Sequence, residues 1–183
     1  GTKWQYSNTG YVIAGRIVEK VSGKPLFEFL QERIFMPLQM TTAQDFDREP
    51  LSAGNAGGNT SFALGPPRAA AVSGAGWLFG MGQLAMTAED LARWNISIIN
   101  QSLLSESSYR ALETETLLAN GVGTQYGLGV HVELGSQRRK IAHGGEVVGF
   151  TAENVIYPDD RTAIVVLVNK YPSEATAQIS DKL

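Results

Sequence analysis

The stretch IAHGGEVVGFTAENVIYPDDRTAIVVLVN, residues 141–169, decides the fold class. Its apolar residues come in short runs that predict strands over Arg139–His143, Phe150–Tyr157 and Thr162–Asn169. The turn-forming residues Pro158–Asp160 separate the last two of these strands. Because connections this short join strands that run in opposite directions, the sequence predicts an antiparallel sheet.

A further strand is predicted upstream, over Tyr126–Val132, where apolar residues alternate with glycines and polar residues. The spacing of apolar residues changes from helical to strand-like after Gly121. The sequence therefore indicates one partial domain with a mainly helical region, 1–120, followed by a region of antiparallel strands, 121–183. A terminal helix is predicted to start at Ser173. Helices followed by consecutive strands predict an α+β fold.

Two long amphipathic helices are predicted in the helical region. The first is predicted over Thr9–Val21, after a cap at Ser7 or Asn8. Its apolar residues Ala14, Ile17, Val18 and Val21 repeat at helical spacing on one face. The second helix begins after Thr87, in a segment that resembles a capping box. Its predicted buried stripe consists of Leu91, Trp94 and Ile98.

The composition argues against several classes of function. A net charge of −3, with no basic cluster beyond Gln137–Lys140, argues against nucleic acid as a partner. No apolar run approaches membrane-spanning length. The chain has no cysteine and only two histidines, which excludes a disulfide framework, a cysteine-based metal site and a histidine-rich zinc site. We expect neither a metal nor another cofactor.

The segment WQYSNTG, residues 4–10, places Tyr6 two residues before Asn8, ahead of the first helix. A phenol with a pKa of about 10 becomes a base only where nearby positive charge stabilises the phenolate. A tyrosine that serves as a base therefore needs cationic neighbours and a nucleophile to deprotonate. The alternative is structural, since the same residues can form a turn that caps a helix.

His143 stands at the end of a predicted strand and is followed by Gly144 and Gly145. Glycines at this point let the backbone of a substrate lie against the strand edge. Their N–H groups, or that of Glu146, would then face a developing oxyanion. The alternative is a glycine bulge between strands, beside a hydrogen-bonded surface histidine.

Together and in this order, these segments resemble the serine β-lactamase-like family, which includes class C β-lactamases, DD-peptidases, D-aminopeptidases and related esterases. The resemblance covers nearly the whole chain in four blocks: YSNTGYVIAGRIVEKVSGKPLFEFLQERIFMPLQM, GAGWLFGMGQLAMTAEDLARW, YGLGVHV and IAHGGEVVGFTAENVIYPDDRTAIVVLVN. It implies the β-lactamase/transpeptidase-like fold, in which an antiparallel sheet has helices on both faces.

The resemblance also implies a role for each matched residue. Tyr6 would be the general base or a member of the proton relay, and Asn8 would hydrogen-bond the substrate. His143–Gly145 would be the family's third motif, which is Lys-Thr-Gly in typical β-lactamases and His-x-Gly in many peptidases and esterases. The glycines would contact the substrate, and the N–H of Glu146 would supply half of the oxyanion hole. Histidine in place of lysine removes a fixed positive charge, which favours an ester or peptide substrate over a β-lactam.

The family's nucleophile is the serine of a Ser-x-x-Lys motif, and no serine in this chain has lysine three residues later. We therefore expect a C-terminal fragment, inactive alone, of a serine hydrolase that cleaves an ester, amide or β-lactam bond of a small or peptide-like substrate through an acyl-enzyme. We also expect an exposed sheet edge that can pair with another chain. The alternatives are a non-catalytic ligand-binding pseudoenzyme and a fragment without independent function. Family members are often exported, which favours a periplasmic or extracellular location.

Overall fold

The computed structural model describes residues 1–51, 53–62, 65–71, 74–135, 138–180 and 182. The helices are α1 (Asn8–Ser22), α2 (Leu26–Leu30), α3 (Ala88–Asn100), α4 (Glu106–Glu113) and α5 (Ala175–Ser180), and a π-helical turn (Gln31–Phe35) continues α2. The strands are β1 (Gln44–Asp45), β2 (Asn59–Thr60), β3 (Arg68–Ala69), β4 (Leu84–Ala85), β5 (His131–Leu134), β6 (Arg139–Val147), β7 (Phe150–Tyr157), β8 (Thr162–Val168) and β9 (Lys170–Tyr171). No helix in these ranges is long and apolar enough to cross a membrane.

A four-stranded antiparallel sheet in the order β5-β6-β7-β8 dominates the C-terminal half of the chain. On one face, Ile141 lies opposite Ile156, and both are buried in a core cluster with Ile98 of α3. Ala142 and Val155 point to the other face and are buried too. Both faces of the sheet are therefore covered, and the mixed α+β, β-lactamase/transpeptidase-like fold is confirmed.

Strand β6 continues through the two glycines, four residues beyond the predicted end of the strand at His143. Each residue from Ile141 to Val147 has a single partner on β7, so the alternative of a glycine bulge is wrong. On its other side, β6 pairs with β5 only from Arg139 to Ala142. Within the described ranges, residues 144–147 thus have a strand partner on one side only.

The strand predicted over Tyr126–Val132 is wrong, because β5 begins only at His131. The preceding residues turn back on themselves: the N–H of Gly127 donates to the carbonyl of Val130, and that of Val132 donates to the carbonyl of Gln125. Glycines make this turn possible, and Gly129 adopts a φ of 83° that is unfavourable for other residues. Tyr126 consequently lies in a loop.

Helices α1 and α3 begin where the sequence predicts. The hydroxyl of Ser7 caps α1 by accepting the N–H of Gly10 at 3.1 Å, and the hydroxyl of Thr87 caps α3. On the apolar face of α1, Ile17 and Val21 are exposed. Instead, α1 packs through Gly15, the one fully buried residue of this helix.

Two further predictions lie partly on residues that the structure does not describe. Gln137 of the basic cluster lies outside the described residues, while Arg138 and Arg139 form ion pairs with Asp160 and Glu113. The predicted terminal helix corresponds to α5, which spans Ala175–Ser180. Residues 181 and 183 of that prediction are outside the described ranges.

Candidate active site

A cleft of about 210 Å³ lies where the N-terminus of α1 meets the sheet. Its lining residues come from four segments of the chain, and they are Tyr6, Asn8, Tyr11, Gly80, Met81, Tyr126, Gly129 and His143. The fold thus brings Tyr6 and Asn8 into one cleft with His143, which is distant from them in sequence. The ring centroids of Tyr6 and His143 are 5.9 Å apart.

Tyr6 and Asn8 form a hydrogen-bonded pair at the entrance to α1. The hydroxyl of Tyr6 donates to Oδ1 of Asn8 at 2.9 Å. Ser7 already caps the helix, so the side chain of Asn8 is not needed for that purpose. Capping by Ser7 therefore explains the turn but leaves the contact between Tyr6 and Asn8 unexplained.

Both ring nitrogens of His143 have hydrogen-bond partners. Nδ1 lies 2.6 Å from the carbonyl oxygen of Gly144, and Nε2 lies 3.1 Å from the hydroxyl of Tyr126. A carbonyl oxygen only accepts, so Nδ1 carries the hydrogen in this arrangement. In the neutral ring Nε2 is then an acceptor, and the hydroxyl of Tyr126 donates to it while also sharing a hydrogen bond with the hydroxyl of Tyr11.

The residues after His143 form an accessible strand edge next to the cleft. Gly144, Gly145 and Glu146 are all exposed. The N–H groups of Gly144 and Glu146 point to the same side of β6, because residues two apart in a strand have the same orientation. Of the predicted third-motif residues, His143 is the one that lines the cleft itself.

Burial keeps two phenols of the cleft, those of Tyr126 and Tyr11, protonated. Burial raises the pKa of Tyr126 to about 12, and burial likewise raises the pKa of Tyr11. Burial and, secondarily, the charge of His143 lower the pKa of His131. Among the described residues that line the cleft there is no lysine or arginine. Tyr6 therefore needs a cation from outside this lining to act as a base.

The lining also limits the chemistry that the chain can perform. It contains no serine, threonine or cysteine as a nucleophile, as far as the structure describes it. In the described part of the chain, no group of three or more His, Cys, Asp or Glu residues could hold a metal ion. What the cleft offers is a phenol, an amide and an imidazole beside a strand edge, which suits proton transfer and hydrogen bonding to an acyl group.

Sequence reasoning missed several residues of the cleft. Tyr11 lies three residues after Asn8, so the helical period places both on one side of α1 and was an available signal. Tyr126 was assigned to a strand, and its position in the cleft depends on the turn before β5. Gly80 and Met81 carry no pattern that distinguishes them from other loop residues.

Comparison with known proteins agrees with the family that the sequence resembles. A family model described as Beta-lactamase matches residues 1–182. The chain is 28% identical to a D-aminopeptidase from Brucella ovis, over 92% of this chain and 32% of that protein. It is 25% identical to the putative penicillin-binding protein PbpX of Bacillus subtilis, over 98% of this chain and 44% of that protein. The chain thus spans less than half the length of these relatives.

A solved structure of a penicillin-binding protein from Bacillus halodurans superimposes on this chain with a TM-score of 0.83. The alignment covers all of this chain and 56% of the other, at 22% identity. At that identity, the similarity supports the fold.

Proposed function

The chain belongs to the beta-lactamase family, and we propose that it forms one side of a serine hydrolase active site that cleaves an ester or amide through an acyl-enzyme. The observation that carries this proposal is the cleft in which Tyr6 and Asn8 face His143. The D-aminopeptidase among the relatives indicates amide chemistry of the same type.

In this proposal Tyr6 accepts the proton of the nucleophile and Asn8 hydrogen-bonds the acyl side of the substrate. The hydrogen bond between the two side chains supports the pairing, because it already places the amide of Asn8 next to the phenol. Proton transfer by a positioned side chain typically contributes about 10²–10⁴-fold to the rate.

Strand β6 would bind the substrate and the developing oxyanion. Gly144 and Gly145 leave the edge free of side chains, and β5 does not cover it. The N–H of Glu146 would donate to the oxyanion, in a geometry that resembles main-chain pairing between strands. The unbroken register of β6 with β7 supports this role by keeping the edge straight and rigid.

The nucleophile would come from residues other than these. No serine of the chain is followed by lysine at the third position, and the serine nearest to Tyr6, Ser7, already caps α1. The same external segment would bring the lysine whose charge Tyr6 needs in order to act as a base. Esters and amides are the proposed substrates, since the described lining holds no cation for the carboxylate of a β-lactam.

Covalent labelling tests the proposal most simply. The purified chain and a longer form that includes a Ser-x-x-Lys segment are incubated with a chromogenic ester, nitrocefin and a fluorescent penicillin. We expect turnover and labelling in the longer form alone, with the ester hydrolysed faster than nitrocefin. Labelling of any serine in residues 1–183 would refute the assignment of the nucleophile. If the longer form binds these ligands without turnover, the pseudoenzyme alternative is correct.

We also propose that a free edge of the sheet pairs with another chain. Strand β8 is one of the two outer strands of the sheet, and Leu167 on it is exposed. An uncovered edge of this length is a template for a further strand. Sedimentation and hydrogen exchange test this proposal, and a stable monomer with protected β8 amides would contradict it.

A further inference from the structure

Tyr126 lies at the centre of an aromatic cluster that joins the N-terminal segment to the sheet. Its side chain is only 6% exposed. Its ring centroid lies 5.2 Å from that of Trp4, 6.2 Å from Tyr6, 4.9 Å from His131 and 6.1 Å from His143. Four surrounding rings restrict the movement of this phenol, so its hydroxyl is held in a defined position.

That position is opposite Nε2 of His143. The other ring nitrogen, Nδ1, is bound by the carbonyl of the next residue in the strand, Gly144. A neutral imidazole has one donor and one acceptor, and here each has a partner of the matching kind. The two contacts define both the tautomer of the ring and its rotation about the side-chain bonds.

We propose that Tyr126 is a positioning residue, which holds His143 in the Nδ1–H tautomer and keeps Nε2 from acting as a second base in the cleft. This inference rests on the proposed hydrolase function for its catalytic consequence. With Nε2 occupied, Tyr6 is the proton acceptor of the cleft. His143 then contributes to the shape of the cleft, and its Nδ1–H is hydrogen-bonded to the carbonyl of Gly144 in β6.

The consequence of losing the hydroxyl follows from the same contacts. In Tyr126→Phe the ring and its packing remain, but Nε2 loses its donor and Tyr11 loses a hydrogen-bond partner. The imidazole is then free to exchange tautomers and to rotate away from Gly144. Loss of one hydrogen bond of this kind should change the tautomer equilibrium of His143, or the catalytic rate, about tenfold.

Nitrogen NMR of the intact protein, labelled with ¹⁵N-histidine, tests the assignment. This chain contributes only two histidines, and His131→Asn assigns their signals. We expect Nδ1 of His143 to carry the hydrogen in the unmodified protein, and the Nε2–H tautomer to appear in Tyr126→Phe. On an ester substrate, kcat should fall about tenfold while KM changes less than twofold.

Tyr109→Phe is the matched control. It also removes a buried tyrosine hydroxyl, one that accepts the N–H groups of Leu103 and Leu104. This variant should lose stability without any change in the His143 signals, which separates positioning from a general effect on the fold.

An Nε2–H tautomer in the unmodified protein would overturn the inference, even if Tyr126→Phe failed to fold. Identical His143 signals in both forms would overturn it as well. If the signals are as expected but the intact protein hydrolyses no ester or amide, the proposed function fails while the assignment of Tyr126 is supported.

Discussion

Helices α1 and α3 have similar sequence patterns, but apolar residues of α3 are buried against the sheet while those of α1 are exposed. Both begin at a hydroxyl cap and have apolar residues at helical spacing. Ile98 of α3 is 2% exposed and packs against the sheet. On α1, by contrast, Ile13, Ile17 and Val21 are 56%, 57% and 83% exposed.

A hydrophobic period therefore indicates which face of a helix is apolar, but it does not indicate what covers that face. Helix α3 holds the sheet, and through it the strand that presents His143. Helix α1 is held mainly at Gly15, where Leu26 and Phe79 approach closely. Its first turn carries Asn8, which binds Tyr6. One helix thus stabilises the fold and the other places the residues proposed for chemistry.

The largest expected effect contrasts isoleucines on the two helices. Ile98→Ala removes buried methyl groups from the core and should lower the free energy of unfolding by about 2–5 kcal/mol. Ile17→Ala removes exposed ones and should change it by less than about 0.5 kcal/mol. Urea denaturation of both variants measures the contrast. Similar losses would mean that α1 is covered in solution.

A smaller effect is expected at the polar contact between α3 and the sheet. Asn95, which is fully buried, and Asn154 of β7 exchange two hydrogen bonds of 2.7 and 3.0 Å. Asn95→Ala leaves the amide of Asn154 without its partner and should cost about 1–3 kcal/mol. On α1, the exposed ion pair of Arg16 and Glu19 is the counterpart.

Arg16→Ala breaks that pair and removes the guanidinium that lies 4.0 Å from the ring centroid of Phe79, and it should cost about 1 kcal/mol. Thermal unfolding of the two variants under one set of conditions provides the comparison. An equal loss of stability in both would refute the view that α3, rather than α1, holds the fold.

The smallest effect concerns the packing of α1 against Leu26 and Phe79. A Cβ at Gly15 would lie 2.9 Å from Cδ2 of Leu26 and 3.0 Å from the ring of Phe79. Gly15→Ala should therefore cost about 1 kcal/mol, since overpacking outweighs the helix propensity of alanine. Gly10→Ala, with its nearest neighbours at 3.7 Å, should instead be neutral or stabilising. If both substitutions stabilise the protein equally, α1 does not pack through Gly15.

The strands of the sheet were predictable because their signals are local. Strand β7 spans Phe150–Tyr157 as predicted, and β8 begins at Thr162 as predicted. Short apolar runs and the turn at Pro158–Asp160 determine these bounds, and both lie within a few residues of each strand. The turn around Gly127 depends instead on hydrogen bonds to residues on both sides of it, which periodicity does not show.

The candidate site was predictable in part. The resemblance to a known family selected Tyr6, Asn8 and His143, and the fold brings these three into one cleft. Tyr126 was missed because its role depends on a contact with a strand that lies elsewhere in the sequence. The exposure of the apolar face of α1 could not be predicted, because the sequence of a helix does not identify its neighbours.

Tyr6, which precedes α1, is the proposed general base, and Tyr6→Phe in a longer form that includes a Ser-x-x-Lys segment is the sharpest test of this claim. The substitution keeps the ring and removes the hydroxyl, so kcat on a short ester should fall about 10²–10⁴-fold, with the unfolding temperature unchanged. Tyr157→Phe, at a tyrosine whose ring packs against Arg138 outside the cleft, should keep full activity. Unchanged kcat in a normally folded Tyr6→Phe protein would contradict the claim and leave Tyr6 as part of a turn before a helix.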